Sequence, residues 1–241
     1  LEGEPHGGRL HEAARRWGIP VSDWLDLSTG ISPFAWPVPT LPASVWQRLP
    51  EEDDGLTACC RHWLAVPAGA ACLPVPGSQA ALQLLPRLRK TARVGVPSPG
   101  YREHALAWQR AGHEVVPLSV EQIDGALPDL DVLVCINPNN PTGTVHGPGA
   151  VERFVRRVMR EVPATMIHID EAYINYAEAG AMETAVPLAM EFENVFSTRS
   201  FSKAHGLAGL RIGYAIGQEQ TLAKIRDAWG MGDVNMLGAI A

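Results

Sequence analysis

Residues 197–214 read STRSFSKAHGLAGLRIGY and place one lysine, Lys203, among hydroxyl-bearing side chains and glycines. A lysine whose amine attacks a carbonyl carbon needs a lowered pKa, which burial and a neighbouring cation such as Arg211 can supply. Alternatively, Lys203 is an ordinary solvated lysine in the first turn of a helix, or Ser200, Ser202 and Arg211 hold an anion. The stretch taken alone leaves these alternatives open.

Around this stretch, short apolar runs alternate with amphipathic segments of helical length. The apolar runs are Cys72–Val75, Arg93–Val96, Glu114–Leu118, Val132–Ile136, Thr165–Ile169, Val195–Ser197 and Leu210–Ile216. The candidate helices are Ser78–Lys90, Tyr101–Ala111, Pro148–Glu161 and Gln218–Trp229. The alternation predicts an α/β fold with a mostly parallel central sheet and helices on both faces. In such folds ligands bind at the carboxyl ends of the strands.

Two of these strand ends lead into a helix. After the first run, Pro76-Gly77-Ser78-Gln79 either presents free backbone N–H groups to a phosphate or forms an ordinary turn with Ser78 as N-cap. After the second run, PSPGY places the ring of Tyr101 at a helix entry, where it contacts a ligand or simply packs.

Two further strand ends carry polar side chains. The sequence NPNNPTG at 137–143 holds three asparagines and two prolines, so its amides are free to bind a ligand. Asp170 follows the next run and is either a helix N-cap or the partner of a cationic ring nitrogen. Together with Lys203, these features at five strand ends favour one common binding site.

The composition excludes several classes of protein. The chain has 241 residues, is 46% hydrophobic and carries a net charge of -6, with no basic run that would bind nucleic acid. No apolar run has the roughly 20 residues of a membrane span, and no signal peptide is recognisable, so we expect a cytoplasmic protein. The four cysteines form no CxxC and the histidines are scattered, so we expect reduced thiols and no metal site.

The chain divides into two parts that differ in sequence pattern. Residues 1–45 are polar and Gly-rich at the start, show a short helical pattern around Leu10–Trp17, and are proline-rich from Pro33 to Pro42. This pattern predicts an arm and small-domain segment lying over something else. Residues 46–241 contain the alternating pattern and are predicted to form one large domain. The last residues, NMLGAIA, look like the start of another helix, so we expect a C-terminal small domain to be missing or incomplete.

The ordered motifs PGSQ, PGY, NPNNPTG, DEAY and SFSKAHGLAGLRIGY resemble those of fold-type I enzymes that use pyridoxal 5'-phosphate. The resemblance is to class I and II aminotransferases, in the branch that contains histidinol-phosphate aminotransferases and threonine-phosphate decarboxylases. It covers roughly residues 5–241. NPNNPTG followed by SKxxGLAGLRxGY is its most specific part.

The resemblance implies catalytic roles for Lys203, Asp170 and Tyr173. Lys203 would form a Schiff base with the cofactor, and Asp170 would pair with its protonated ring nitrogen. Tyr173 and Asn140 would bind the ring 3'-oxygen, and Tyr101 would stack on the ring face. The implied phosphate contacts are Gly77, Ser78, Gln79, Ser200, Ser202 and Arg211.

The resemblance also implies a homodimer in which a partner tyrosine completes the site. The matching segment here, QRLPEEDDGL, holds Leu49 at that place. Either the partner subunit contributes another residue or this subfamily does without one.

The two halves of the chain favour different reactions. The opening His6-Gly7-Gly8-Arg9, with WLDLSTGISP and LPEEDDGL, resembles the decarboxylases of cobalamin synthesis, which implies substrate contacts from His6, Gly8 and Asn140. The substrate would then be L-threonine O-3-phosphate and the product (R)-1-amino-2-propanol phosphate. The second half is closer to histidinol-phosphate-type aminotransferases, in which Lys203 would also move a proton at the substrate.

We prefer the decarboxylase, because the N-terminal arm would touch the substrate whereas the later motifs would mostly touch the cofactor. Two weaker alternatives are an inactive cofactor-binding fragment or regulatory module, and a dehydrogenase. The dehydrogenase lacks support because no GxGxxG motif follows a strand.

Overall fold

A central sheet organises the part of the chain that the structure describes. The computed structural model describes residues 6–47, 49, 51, 55–64, 66, 71–147, 149–176 and 183–229. Its strands are β1 (Ala71–Val75), β2 (Arg93–Pro97), β3 (Glu114–Leu118), β4 (Val132–Ile136), β5 (Met166–Asp170), β6 (Val195–Ser200) and β7 (Gly213–Gly217). Each of the predicted apolar runs overlaps one of these strands, although Leu210, Arg211 and Ile212 of the last run precede β7.

The strand order across the sheet is β1-β7-β6-β5-β4-β2-β3. β7 runs antiparallel to its neighbours β1 and β6, whereas the pairings among β2, β3, β4, β5 and β6 are parallel. The edge strands β1 and β3 contain Pro74 and Pro117. A proline is tolerated there because an edge strand leaves one row of N–H groups unpaired.

Helices cover both faces of this sheet. The helices of the described residues are α1 (Leu10–Trp17), α2 (Leu56–Trp63), α3 (Ser78–Leu84), α4 (Arg102–Arg110), α5 (Ile123–Ala126), α6 (Ala150–Glu161), α7 (Val186–Glu191) and α8 (Glu219–Trp229). α1 belongs to the arm and has no buried residue. Helices were predicted at α1, α3, α4, α6 and α8, and the predicted mostly parallel α/β fold is confirmed. Pro148, which the sequence pattern included in α6, lies outside the described residues.

Alternate side chains of the buried strands belong to different cores. In β4, Val132 and Val134 belong to the core under α3, α4 and α8, whereas Leu133 belongs to the core under α6 and α7. Successive side chains of a strand point to opposite faces, so a fully apolar run is what a sheet covered on both sides requires. Because both faces are closed, the ends of the strands are left for a ligand.

The N-terminal arm lies against the loop that carries Lys203. The N–H of Ser32 donates to the carbonyl of Lys203 at 3.0 Å, and the N–H of Trp36 donates to the carbonyl of His205 at 2.8 Å. The arm was predicted to lie over another part of the chain. In the structure that part is the loop that carries Lys203. The boundary between an arm at 1–45 and a large domain at 46–241 stays a prediction.

Parts of the sequence interpretation lie outside the described residues. These are residues 1–5, half of the QRLPEEDDGL segment and the C-terminal residues 230–241. Within the described ranges, no helix is long and apolar enough to cross a membrane. The same ranges contain no group of three or more His, Cys, Asp or Glu side chains arranged to hold a metal ion.

Candidate active site

A cavity of about 350 Å³ lies at the carboxyl ends of the parallel strands. Its walls include all the predicted site residues except Gly8. They are His6, Gly77, Ser78, Gln79, Tyr101, Asn140, Asp170, Tyr173, Ser200, Ser202, Lys203 and Arg211. The carboxyl ends of parallel strands meet at one edge of a sheet, which explains how residues from Gly77 to Lys203 come together, whereas His6 reaches the cavity from the N-terminal arm.

Lys203 lies in the loop after β6 rather than in a helix, and its amine faces the cavity. The Nζ atom is 5.5 Å from the centre of the Tyr173 ring. Burial lowers the pKa of Lys203; the Asp170 carboxylate opposes this shift and the Arg211 guanidinium adds to it. A lowered pKa increases the fraction of neutral amine, which is the nucleophilic form.

The lowered pKa of Lys203 can be tested in the cofactor-free protein. We expect acetylation of Lys203, followed by mass spectrometry across a pH series, to give a midpoint below the ordinary lysine value of about 10.4. Because the Asp170 carboxylate raises the pKa of Lys203, Asp170→Asn should move the midpoint further down. A midpoint at or above the ordinary value would contradict the effect of burial.

Asp170 ends β5 and points its carboxylate into the cavity. Its Oδ2 accepts from His104 Nε2 at 2.8 Å, and its Oδ1 accepts from the N–H of Ala172 at 3.0 Å. Burial favours the neutral carboxyl, but the hydrogen bond from His104 and the electrostatic influence of the two nearby histidines outweigh it, so the pKa of Asp170 lies below its usual value. The residue is thus an ionised group at the cavity wall that also fixes the following turn.

A second buried histidine backs this pair. His168 packs edge-on against His104, with ring centres 5.2 Å apart, and its Nε2 is 3.0 Å from the Thr198 hydroxyl. Burial lowers the pKa of His168 to about 3, with a further contribution from His104. The neutral His168 ring therefore supports the position of His104 without adding charge.

The turn before α3 packs against the guanidinium of Arg211. The helix begins at Ser78 with Gly77 as its N-cap, so the alternative in which Ser78 caps the helix is wrong. A Cβ on Gly77 would lie 2.6 Å from an Arg211 guanidinium nitrogen. Arg211 itself has a φ of 56°, a left-handed conformation that side-chain-bearing residues adopt rarely, and it ends the short 3-10 turn Ala208–Leu210.

Gly213 explains why the GLRIGY motif needs a glycine where β7 begins. A Cβ at Gly213 would lie 2.3 Å from the backbone nitrogen of Ser78 and 2.8 Å from the carbonyl oxygen of Arg199. Both neighbours are backbone atoms, which cannot turn aside as a side chain can. The missing side chain lets the turn before α3 pack directly on the sheet.

Gly213→Ala should therefore destabilise the protein by about 1–3 kcal/mol, the usual cost of overpacking. The measurement is thermal unfolding monitored by circular dichroism. Gly125→Ala is the matched control, because a Cβ at Gly125 in α5 would meet nothing within 4 Å. An unchanged melting temperature for Gly213→Ala would contradict the close approach.

Tyr173 and the arm together form one wall of the cavity. Gly30 of the arm lies so close to Tyr173 that a Cβ there would be 2.6 Å from the hydroxyl oxygen. The neighbouring Tyr176 donates its hydroxyl to the carbonyl of Gly30 at 3.0 Å. Burial raises the pKa of Tyr173, so its hydroxyl stays protonated and able to donate a hydrogen bond.

His6 and Gly8 of the arm have different surroundings. His6 lines the cavity and contacts Glu103, its Nε2 lying 3.0 Å from Glu103 Oε1. Gly8 lies outside the cavity wall, and its N–H donates to the Ser28 hydroxyl at 2.8 Å. Its predicted contact with a substrate has no support from this geometry and stays a prediction.

Comparison with known proteins identifies the family. The family described as Aminotransferase class I and II matches residues 60–230. The chain belongs to this family. The match spans α2 to α8 and so includes all the strands whose ends form the cavity, and it confirms the predicted resemblance.

Members of the family with both predicted reactions are similar to this chain. A threonine-phosphate decarboxylase of Pseudomonas aeruginosa is 43% identical over 95% of this chain and 67% of its own length. A histidinol-phosphate aminotransferase of Limosilactobacillus fermentum is 34% identical over 62% of this chain and 44% of its own. The crystal structure of a histidinol-phosphate aminotransferase of Sinorhizobium meliloti in complex with pyridoxal-5'-phosphate has a TM-score of 0.65 at 26% identity, covering 82% and 56% of the two chains. The chain thus spans about half to two thirds of the length of these relatives.

Sequence reasoning missed two members of the site, Glu103 and His104. Glu103 lines the cavity, and His104 holds Asp170. Both lie in the first turn of α4, just after Tyr101. Residues three apart on a helix share a face, so the spacing of Tyr101 and His104 was a usable signal. The partners of these residues on other elements could not be read from that spacing.

Proposed function

We propose that this protein is a pyridoxal 5'-phosphate-dependent decarboxylase of L-threonine O-3-phosphate that produces CO2 and (R)-1-amino-2-propanol phosphate. The observation that carries the proposal is the position of His6, which the arm brings into the same cavity as Lys203 and Asp170. The similarity to the Pseudomonas decarboxylase supports it, because that match extends over 95% of the chain and so includes most of the arm.

The cavity fits this cofactor. Lys203 supplies an amine with a lowered pKa for a covalent link to the cofactor aldehyde. Asp170 supplies a buried, ionised carboxylate for the ring nitrogen, and Tyr101 supplies an aromatic face. When bound, pyridoxal 5'-phosphate draws electrons from a bond at the substrate α-carbon. The residues present match each functional group of the cofactor.

The cofactor phosphate would bind beside Arg211. The N–H groups of Ser78 and Gln79 begin α3 and have no acceptor within the helix, so they can donate to an anion. Gly77, Ser200, Ser202 and Arg211 line the same part of the cavity. A helix start, hydroxyls and a guanidinium together bind a dianionic group more strongly than any one of them alone.

The chain's residues would also decide which substrate bond breaks. The bond held perpendicular to the cofactor ring is the one that is cleaved, so orientation of the substrate selects decarboxylation or transamination. His6 would hold an anionic group of the substrate from the arm side, and Asn140 and Tyr173 would hold the cofactor 3'-oxygen. The arm is therefore the element that we assign to reaction choice.

Transamination of a histidinol-phosphate-type substrate is the second candidate. It is favoured by the similarity to the histidinol-phosphate aminotransferase, which is 34% identical over 62% of this chain. The residues around Lys203 and Asp170 serve either reaction. In this case Lys203 would also carry the proton that leaves the substrate α-carbon.

A single-turnover experiment separates the two candidates. The cofactor-loaded protein is mixed with L-threonine O-3-phosphate while released CO2 is trapped and the cofactor spectrum is followed. CO2 release with recovery of the starting spectrum supports the decarboxylase. No CO2, together with conversion of the cofactor to its amine form by histidinol phosphate, would establish the aminotransferase instead.

The setting of this activity is part of the same proposal. We place the enzyme in the cytoplasm and in cobalamin biosynthesis, where the product would serve as a linker precursor. We also propose a homodimer. Exposed apolar side chains in the N-terminal part support an interface, since Leu25, Leu27, Phe34 and Trp46 are each more than half exposed.

A further inference from the structure

Glu103 is a buried carboxylate at the cavity wall that the cofactor chemistry leaves without a role. It lies in the first turn of α4, and the residue is 8% exposed. A buried carboxylate is costly unless hydrogen bonds or a positive charge compensate it. Its contacts therefore indicate what the structure uses it for.

Glu103 joins the arm to the turn that begins α3. Its Oε1 accepts from His6 Nε2 at 3.0 Å, and its Oε2 accepts from the amides of Gln79 at 3.2 Å and Gln83 at 3.1 Å. Arg110 is more distant, at 3.9 Å, and its side chain is 63% exposed. Compensation thus comes mainly from one imidazole and two neutral amides.

The connection continues to the ring-face tyrosine. The hydroxyl of Tyr101 donates to Gln79 Oε1 at 3.2 Å, while Gln79 Nε2 donates to Glu103. A chain of hydrogen bonds therefore runs from His6 through Glu103 and Gln79 to Tyr101. The Glu103 carboxylate thus connects the arm to the turn before α3 and, through Gln79, to Tyr101.

The position of His6 over the cavity depends on this link. The His6 side chain is 62% exposed, so little packing holds it in place. The next residue, Gly7, lies against the backbone of Ser28, and Gly8 is bound to the Ser28 hydroxyl. These contacts hold the arm to itself, whereas the bond to Glu103 ties it to the cavity wall.

We propose that Glu103 is a positioning residue that holds His6 over the cavity and thereby sets the affinity for a phosphorylated amino acid. The inference rests on the proposed function for its substrate, and on the geometry alone for the tethering of the arm. Glu103 would act on the substrate through His6 and would not itself touch the reacting atoms.

The charge of Glu103 gives the proposal a distinctive consequence. Without His6, the carboxylate would remain at the wall of a site for an anionic substrate with two neutral amides as its nearest partners. It would then repel the substrate, since like charges at a poorly solvated site interact strongly. Removing His6 should therefore cost more than one lost contact, and removing the charge of Glu103 as well should recover part of the loss.

The experiment compares Glu103→Gln, His6→Ala and the double variant. Because His6 is largely exposed, we expect Glu103→Gln to raise KM for L-threonine O-3-phosphate about fivefold, with a smaller change in kcat. His6→Ala should raise KM further, and the double variant should have a lower KM than His6→Ala alone. A double variant with a higher KM than His6→Ala would overturn the proposal.

A second readout does not depend on activity. In the cofactor-free protein, hydrogen exchange of the amides at residues 7–9 should be faster in Glu103→Gln and in His6→Ala than in the wild type. Glu114→Gln, at an exposed ion pair with Arg93, is the matched control and should leave this exchange unchanged. Unchanged exchange in both Glu103→Gln and His6→Ala would overturn the proposal that Glu103 holds the arm in place. If Glu103→Gln does not fold, His6→Ala still tests it.

The two proposals can fail separately. A wild-type protein that releases no CO2 from L-threonine O-3-phosphate removes the proposed function, and the exchange measurement then decides on the tether alone. Wild-type turnover together with equal KM values for wild type and Glu103→Gln would keep the function and overturn the role of Glu103.

Discussion

Lys203→Ala should lose both the covalent attachment of pyridoxal 5'-phosphate and at least about a thousandfold of turnover, the scale seen when a covalent catalytic group is removed. The measurements are the protein mass after borohydride reduction of the cofactor-loaded protein, and CO2 release under saturating substrate. In the wild type, reduction should add the cofactor mass to Lys203. In the variant, no cofactor mass should remain on the chain.

The expected losses follow from the position of the Lys203 amine. Among the described residues, Lys203 is the lysine that lines the cavity. Its pKa is lowered by burial, which favours the neutral amine needed for attack on an aldehyde. Alanine removes the nucleophile, whereas the proposed phosphate contacts from Ser200, Ser202 and Arg211 are unchanged, so the cofactor should still bind reversibly.

The matched control is Lys224→Ala, on the exposed part of α8. It should keep the borohydride-stable mass and full turnover. A Lys203→Ala protein that still carried cofactor mass after reduction would remove Lys203 from its proposed role. Loss of both properties in the Lys224 variant would show that the assay reports overall folding rather than the site.

The fold was predictable because its strands are buried on both faces. A run such as Val132–Ile136 is apolar throughout, and the structure divides its side chains between two cores. The antiparallel direction of β7 was not predicted, because the pattern of an apolar run carries no direction. α2, α5 and α7 were also missed; α5 and α7 have only 4 and 6 residues, too few to show a clear helical period.

Much of the candidate site followed from the same logic, because residues after parallel strands meet at one edge. The contacts that lie on the side of the sheet edge away from the cavity could not be predicted in this way. Glu171 is a clear example: it is buried and accepts from Arg199 Nε at 3.0 Å and from the N–H of Ala185 at 2.6 Å. Its place beside Asp170 in the sequence suggests another cavity residue, yet neighbouring residues in an extended chain point to opposite sides.

Asp170→Asn should reduce turnover by about a hundredfold or more, the usual cost of removing a preorganised charge from a reacting group. The carboxylate is proposed to hold a proton on the cofactor ring nitrogen, and a neutral amide cannot stabilise that positive charge. The change is nearly isosteric. The amide oxygen can still accept from His104 or from the N–H of Ala172, although it cannot serve both as the two carboxylate oxygens do.

The pH dependence separates the charge of Asp170 from its shape. Because the pKa of Asp170 lies below the usual aspartate value, Asp170 keeps its negative charge at neutral pH and loses it only on strong acidification. The ratio of wild-type to variant turnover should therefore stay constant between about pH 6 and pH 9, far above the ordinary aspartate value. A ratio that falls with decreasing pH in this interval would mean that Asp170 takes up a proton there.

Asp124→Asn provides the matched control, because Asp124 forms an exposed ion pair with Arg157 and neither residue lines the cavity. It should leave turnover and pH dependence unchanged, since exposed pairs contribute little. Cofactor affinity, measured by fluorescence titration, distinguishes weak binding from slow chemistry in the Asp170 variant. If Asp170→Asn bound cofactor normally and turned over at the wild-type rate, the buried carboxylate would serve to fix the turn at Ala172, and the ring nitrogen would need no charged partner from this chain.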